Sequence, residues 1–269
     1  MSNRPAPSAT APVALSPGVA IQIGILTGGK PTLAMTLASV LLQNVADIRI
    51  HVLDTAERPV IQREDFNAAL RLAFDRGITC TYEHHRDRQR PFSGGRLALL
   101  EALTGPQICF MDDDVVLPSG SLSLLSSFVA DHPDYGFLAP RLKNPGLRRT
   151  ALEGRTQFAP GTLFRQDALV RRILLDYYST TNDVLDRAKG GQVSWEVAFL
   201  TEMFPLLGRP CYAQPRNVIY HLDYHENPNW ELLRGNLLAT SLERARTLVL
   251  KHAGVLAEIA PPPGSGPGH

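Results

Sequence analysis

The sequence predicts an α/β fold: a mostly parallel central sheet flanked by helices, with a mixed, less regular C-terminal half. Three observations carry this expectation. Strand and helix patterns alternate four times between residues 20 and 111, which favours parallel pairing with helices on both faces. The segments AIQIGILT (20–27) and ICFM (108–111) are apolar runs of strand length, bounded by glycine or by acidic residues. Thr27, Asp54 and Asp112, Asp113 and Asp114 fall at the carboxyl ends of strands, where ligands gather in such sheets.

The elements follow in order. Residues 20–27 form a buried strand stopped by Gly28 and Gly29. Pro31 suits the first turn of a helix in which Leu33, Leu37, Val40 and Leu41 recur with helical spacing. Residues 48–53 make a second strand that ends at Asp54 and Thr55, 66–74 a helix with Leu70 and Leu72 on its apolar side, and 78–82 a third strand. A basic loop carries His84, His85, Arg86, Arg88 and Arg90 and reads as solvated. Gly94 and Gly95 introduce a helix at 96–103, and the strand at 108–111 delivers the aspartates. Beyond them, 121–129 reads as a helix, 136–140 as a short strand and 158–164 (FAPGTLF) as a strand with an internal glycine. A helix is expected over 193–204, a final strand over 213–221 and a long amphipathic helix over 227–252. No internal repeat is present.

At 269 residues the chain can bury a full core, and the expected folded unit is one domain spanning 19–254. Residues 1–18 and 255–269, rich in Pro, Ala, Ser and Gly, are expected as disordered tails. The net charge of +1 sets up no global field for nucleic acid or an anionic membrane, so any phosphate recognition must be local. Cys80, Cys109 and Cys211 are odd in number and set among apolar residues, as buried reduced thiols are. No signal peptide and no apolar run of bilayer length is evident, so a cytoplasmic location, free or peripheral to a membrane, is expected.

Three adjacent carboxylates repel one another. A hard divalent cation such as Mg2+ or Mn2+ removes the repulsion by taking their oxygens as ligands. A solvated acidic turn is the plain alternative. Asp112, Asp114, Val116 and Leu117 also fit the DxDxV pattern of haloacid dehalogenase-type phosphatases, with Asp112 as nucleophile. That reading needs the motif on the first strand and a later acidic pair, which the chain lacks. A prenyl-synthase motif fails because Val116 and Leu117 stand where carboxylates are needed.

From about residue 20 to 225 the chain resembles a family 2 glycosyltransferase of the GT-A fold, Rossmann-like in its first half. The resemblance rests on ILTGGKPTLAMTLASVLLQN (25–44), IRIHVLDTAE (48–57), SGGRLALLEALTG (93–105), ICFMDDDVVLP (108–118), APGTLFRQDAL (159–169) and SWEVAFLTEMFPLLG (194–208), in that order. It implies a nucleotide-binding half at 19–118 and an acceptor half at 119–254. The activity implied is inverting, metal-assisted transfer of a sugar from a nucleotide-diphosphate donor to an acceptor hydroxyl. A UDP-sugar is favoured as donor, with GDP- or dTDP-sugars as alternatives. The acceptor class spans glycans, lipid-linked molecules and small molecules.

Residue by residue, the resemblance implies that Thr27, Asp54, Arg96, Asp112 and Asp113 line the nucleotide-sugar site. Asp114, Asp112 and His221 would hold Mg2+ or Mn2+, with Asp223 and His225 competing for the role of His221. Glu196 would be the catalytic base, although the family's usual Glu-Asp pair is here a single glutamate. Trp195 would form a wall for the acceptor. Gly28 and Gly29 stand where the family often shows an aromatic residue and an asparagine. The missing second acid also leaves open a catalytically inactive sugar-nucleotide-binding protein.

Overall fold

The computed structural model describes residues 21–45, 47–85, 91–143, 156–182, 192–193, 195–222 and 230–259. The strands are β1 (Ile21–Thr27), β2 (Ile48–Asp54), β3 (Thr79–His84), β4 (Gln107–Asp112), β5 (Val115–Val116), β6 (Phe137–Lys143), β7 (Leu163–Arg165), β8 (Thr181–Asn182), β9 (Gln192–Val193) and β10 (Cys211–His221). The helices are α1 (Leu33–Leu41), α2 (Glu64–Asp75), α3 (Pro91–Ala102), α4 (Ser121–Asp131), α5 (Ala168–Thr180), α6 (Glu196–Leu206) and α7 (Trp230–Ile259). Eight strands make one sheet in the order β3-β2-β1-β4-β7-β6-β10-β5, and β8 and β9 pair separately.

The first four strands of that order are parallel, β7 enters antiparallel between β4 and β6, and β10 runs parallel to β6. A mostly parallel sheet flanked by helices is what the alternating pattern predicts, and one sheet runs through both halves of the chain.

Alternate side chains of each strand feed two cores, because successive residues of a strand point to opposite faces. Ile21, Ile23 and Ile25 of β1 with Cys109 and Met111 of β4 pack against Leu33, Leu37, Phe66 and Leu122 of α1, α2 and α4. Leu26, Ile108 and Phe110 meet Leu99, Ile173, Phe199 and Leu248 of α3, α5, α6 and α7 on the other face.

Several boundaries differ from those expected. Gly94 and Gly95 do not precede a helix; they lie inside α3, which begins at Pro91. Close packing explains Gly95, since a Cβ there would stand 2.4 Å from Leu26 Cδ1 and 3.4 Å from its Cγ. Gly95→Ala sets two effects against each other. Alanine gains about 1 kcal/mol of helix propensity, but overfilling a packed site costs about 1–3 kcal/mol. Leu26 is buried and cannot simply swing away. A net loss of stability in urea unfolding is therefore expected, and a variant as stable as the parent would show that Leu26 yields freely.

The segment 158–164 is not a continuous strand. Gly161 has a φ of +82°, which turns the chain, and only Leu163–Arg165 pairs. Helix α6 begins at Glu196 rather than at 193, because residues 192 and 193 form β9. Helix α7 begins at Trp230 and reaches Ile259, past the expected boundary at 254. Helix α5 was not anticipated. Its signal was present: Asp167 caps it by accepting from Leu169 N and Val170 N, and Val170, Ile173, Leu174 and Tyr177 recur on one buried face.

Candidate active site

Strand register brings the polar strand ends together. Thr27 pairs with Asp54, Leu26 with Asp112, and Asp54 with His84, so these carboxyl ends form one edge. Strand β5, immediately after the aspartates, pairs antiparallel with the end of β10 and sets His221 opposite Val115. The Leu222 amide then donates to the Asp114 carbonyl at 2.8 Å.

The three aspartates do different things. Asp113 turns under the β1–α1 turn: its Oδ2 accepts from Thr27 Oγ1 (2.7 Å), Gly28 N (3.2 Å) and Lys30 N (3.3 Å), and its carbonyl accepts from Thr32 Oγ1 (2.8 Å). Thr27 and Asp113 are both buried, so they shape the turn from beneath. Burial pushes the Asp113 carboxyl above its ordinary range, against the opposing Thr27 hydrogen bond.

Asp112, Asp114 and His221 offer ligand atoms that all lie within 4.8 Å of one another. Asp114 Oδ2 accepts from Lys30 Nζ at 2.6 Å. Its Oδ1 is buried and receives no hydrogen bond of good geometry, although His221 Nε2 lies 3.0 Å away. Burial raises the Asp114 carboxyl, but His221 and Lys30 outweigh it and hold it below the usual value. Burial lowers the His221 imidazole, and Asp114 outweighs that in turn, leaving it raised. Two carboxylates and an imidazole form a donor set that suits Mg2+ or Mn2+.

Asp54 is fully buried, and its carboxylate is already engaged. Oδ1 accepts from Ala56 N (2.8 Å), and Oδ2 from Val60 N (2.7 Å) and Tyr82 Oη (2.7 Å). Asp54 is expected to line the nucleotide-sugar site, and the geometry has it folding the loop that follows β2. That loop faces Gly28 and Gly29 across a cleft of about 550 Å³, with Arg58 and Arg63 on its lining. Gly29 has a φ of +94°, and a Cβ there would sit 3.0 Å from that of Ala56, so the two loops meet here through a glycine. Arg63 clasps the β1–α1 turn through the carbonyls of Gly29, Lys30 and Pro31.

Arg96, expected on the nucleotide-sugar site, is 2% exposed and bridges two carboxylates. Nη2 donates to Asp112 Oδ1 at 2.7 Å and Nε to Glu196 Oε1 at 3.2 Å, while the guanidinium lies 4.9 Å from the Phe110 ring centroid. Tyr178 Oη donates to the same Glu196 Oε1 at 2.5 Å. Burial pushes the Glu196 carboxyl above its ordinary range, with Arg96 and Tyr178 pulling against it. Glu196 opens α6, where a carboxylate also suits the helix dipole. Trp195 stands just before that helix, its amide donating to Ser241 Oγ of α7 at 2.5 Å.

The structure thus brings together Thr27, Arg96, the three aspartates, Glu196 and His221, with Asp54 one loop away. Lys30 and Tyr178 belong to the same cluster and were not among the expected residues. Lys30 had a signal, as the first basic residue after a strand-ending Thr-Gly-Gly. Asp223, His225 and the loop arginines 86, 88 and 90 lie outside the described residues. The aspartates end the fourth strand in chain order, not the first, which removes the strand position the phosphatase pattern requires. Among the described residues no helix is long and apolar enough to cross a membrane.

Solved structures share the fold. S. aureus TarS aligns with a TM-score of 0.56 at 12% identity, covering 87% of this chain, and this chain spans only 43% of that one. TarS 1–349 in complex with UDP-GlcNAc aligns at 0.57 and 12% identity, over 87% of this chain and 71% of that one. The mannosyltransferase PcManGT of Pyrobaculum calidifontis, in complex with GDP-Man and Mn2+, aligns at 0.53 and 14% identity, over 91% and 81%. Among curated proteins none matches. The family model for glycosyl transferase family 2 matches residues 27–188, from the end of β1 through the aspartates and past α5. With well over half of its length matched, and a GT-A sheet beneath the match, the chain belongs to glycosyl transferase family 2.

Proposed function

We propose that this protein transfers a sugar from a nucleotide-diphosphate donor to an acceptor hydroxyl, with inversion at the anomeric carbon. One observation carries the reading: Asp112, Asp114 and His221 converge within 4.8 Å at the carboxyl edge of the sheet in a family 2 chain. The sugar nucleotides bound by two of the neighbours support a donor of this class. A UDP-sugar is favoured, with GDP- and dTDP-sugars as alternatives, and the acceptor is a glycan, a lipid-linked molecule or a small molecule.

Asp112, Asp114 and His221 would hold Mg2+ or Mn2+, which neutralises charge on a departing diphosphate. The remaining roles fall to the chain itself. Asp113 and Thr27 hold the β1–α1 turn in place. Asp54 holds the loop on the other side of the cleft, so its part in nucleotide binding is to position that loop. Arg96 ties Asp112 to Glu196, as a cation between two anions whose mutual repulsion it offsets. Glu196 takes the proton of the attacking hydroxyl, and burial, which raises its affinity for protons, favours that role. Trp195, beside it, faces the acceptor.

A sugar-nucleotide-binding protein without turnover is the second reading, favoured by the single Glu196 where an acidic pair is usual. Binding of nucleotide without release of sugar would identify it.

Thermal shift with UDP, GDP and dTDP, each with Mn2+ or with EDTA, tests the donor and metal assignments. A ligand at about 100 times its Kd adds about 2.7 kcal/mol to stability, a rise of several degrees. The shift is expected to be larger with Mn2+, and Asp114→Asn is expected to erase the difference. An equal shift in EDTA would remove the ion from the account.

A further inference from the structure

We infer that Tyr178 is a positioning residue for Glu196, fixing one carboxylate oxygen so that the other is presented to the acceptor hydroxyl. The inference rests on the reading of Glu196 as the base.

Both hydrogen bonds that Glu196 receives fall on Oε1, from Tyr178 Oη at 2.5 Å and Arg96 Nε at 3.2 Å. Among the described residues nothing donates to Oε2. A carboxylate can accept on both oxygens, so this one-sided arrangement leaves Oε2 as the acceptor for a substrate proton.

The hydroxyl of Tyr178 is held rigidly. Tyr178 is 1% exposed and its ring packs edge-on to Phe110, with centroids 6.4 Å apart. Its neighbour Tyr177 stacks on Phe199 of α6 at 3.8 Å and 16°, which locks α5 to the helix that carries Glu196. Tyr178 therefore acts from a different helix from both Glu196 and Arg96, and three elements fix the carboxylate plane.

The groups that face Glu196 are Arg96 from α3, Asp112 from the end of β4, and Tyr178 from α5. Arg96 and the Tyr178 hydrogen bond favour the ionised carboxylate, whereas burial and Asp112 oppose it. Removing the tyrosine hydroxyl must then move proton affinity upward. A buried tyrosine satisfied by any nearby acceptor is the structural alternative, and it predicts no change in the pH dependence of catalysis.

Tyr178→Phe tests this, since it keeps the ring and deletes only the donor. Two readouts are needed. Glutamate 13Cδ NMR, with the Glu196 signal assigned by Glu196→Gln, follows the carboxyl directly in the intact protein. The pH profile of nucleoside diphosphate release uses UDP-GlcNAc and GDP-mannose as probes. Both the Glu196 titration and the acid limb of the profile are expected to move up by about one unit, with nucleotide-induced thermal shifts unchanged. If neither probe turns over, the NMR titration alone decides. A titration that stays in place overturns the role of Tyr178. Full activity in Glu196→Gln overturns the base assignment as well, whereas an inactive Glu196→Gln beside an unmoved Tyr178→Phe overturns only the inference drawn here.

Discussion

Glu196→Gln is expected to cut sugar transfer by about 100-fold or more while leaving nucleotide binding nearly unchanged. Glutamine keeps the size of the side chain and can still meet Arg96 or Tyr178, but it cannot take a proton. Glu202 is a poor substitute on the same helix. Six residues along an α-helix is about 600° of rotation, so Glu202 projects from another face. Glu196 meets Arg96, which pairs with Asp112 through its other nitrogen. The check is nucleoside diphosphate release, using the donor identified by thermal shift. Near-normal turnover would place the base elsewhere, with Asp223 the next residue to substitute.

Arg96→Met should be the most destabilising of these substitutions, by about 3 kcal/mol or more, because removing one partner of a buried ion pair strands the others. Here two carboxylates are stranded, Asp112 and Glu196, with side-chain exposures of 32% and 11%. The pH dependence follows from Glu196, whose folded proton affinity is already raised. Between the unfolded and folded titration points the native state binds more protons, so stability falls as pH rises through that window. Loss of Arg96 widens the window upward. The deficit measured by urea unfolding should therefore be large near neutral pH and shrink as the medium is acidified below the carboxylate range. A deficit of the same size at every pH would mean that Arg96 acts through packing on Phe110 and Phe92 instead.

The strand ends were readable from sequence because each is marked by a switch from apolar to polar residues. Thr27, Asp54 and Asp112 follow that rule, and the register aligns them. The strand that sets His221 opposite Val115, β5, has two residues and is too short to leave a pattern in the sequence. The Arg96 network could not be read at all, since its partners are 16 and 100 residues away along the chain. No local pattern shows that Arg96 is enclosed; the packing of α3 against α5 and the ion pairs to Asp112 and Glu196 do that. The same holds for the partners of Asp54, which its place at a strand end does not reveal. Its three donors come from a loop and from β3, which no local pattern joins.

Lys30 gives the site a tethered counter-ion. Its ammonium rests on Asp114 at 2.6 Å while its own side chain stays 41% exposed, so it can leave without disturbing the interior. A divalent ion arriving at Asp112, Asp114 and His221 would then exchange with a resident charge, and the local change would be one positive unit rather than two. Asp113 pins the backbone amides of Gly28 and Lys30. If the ion displaced the Lys30 ammonium, the hydrogen bonds of Asp113 to the turn would still be in place beneath it.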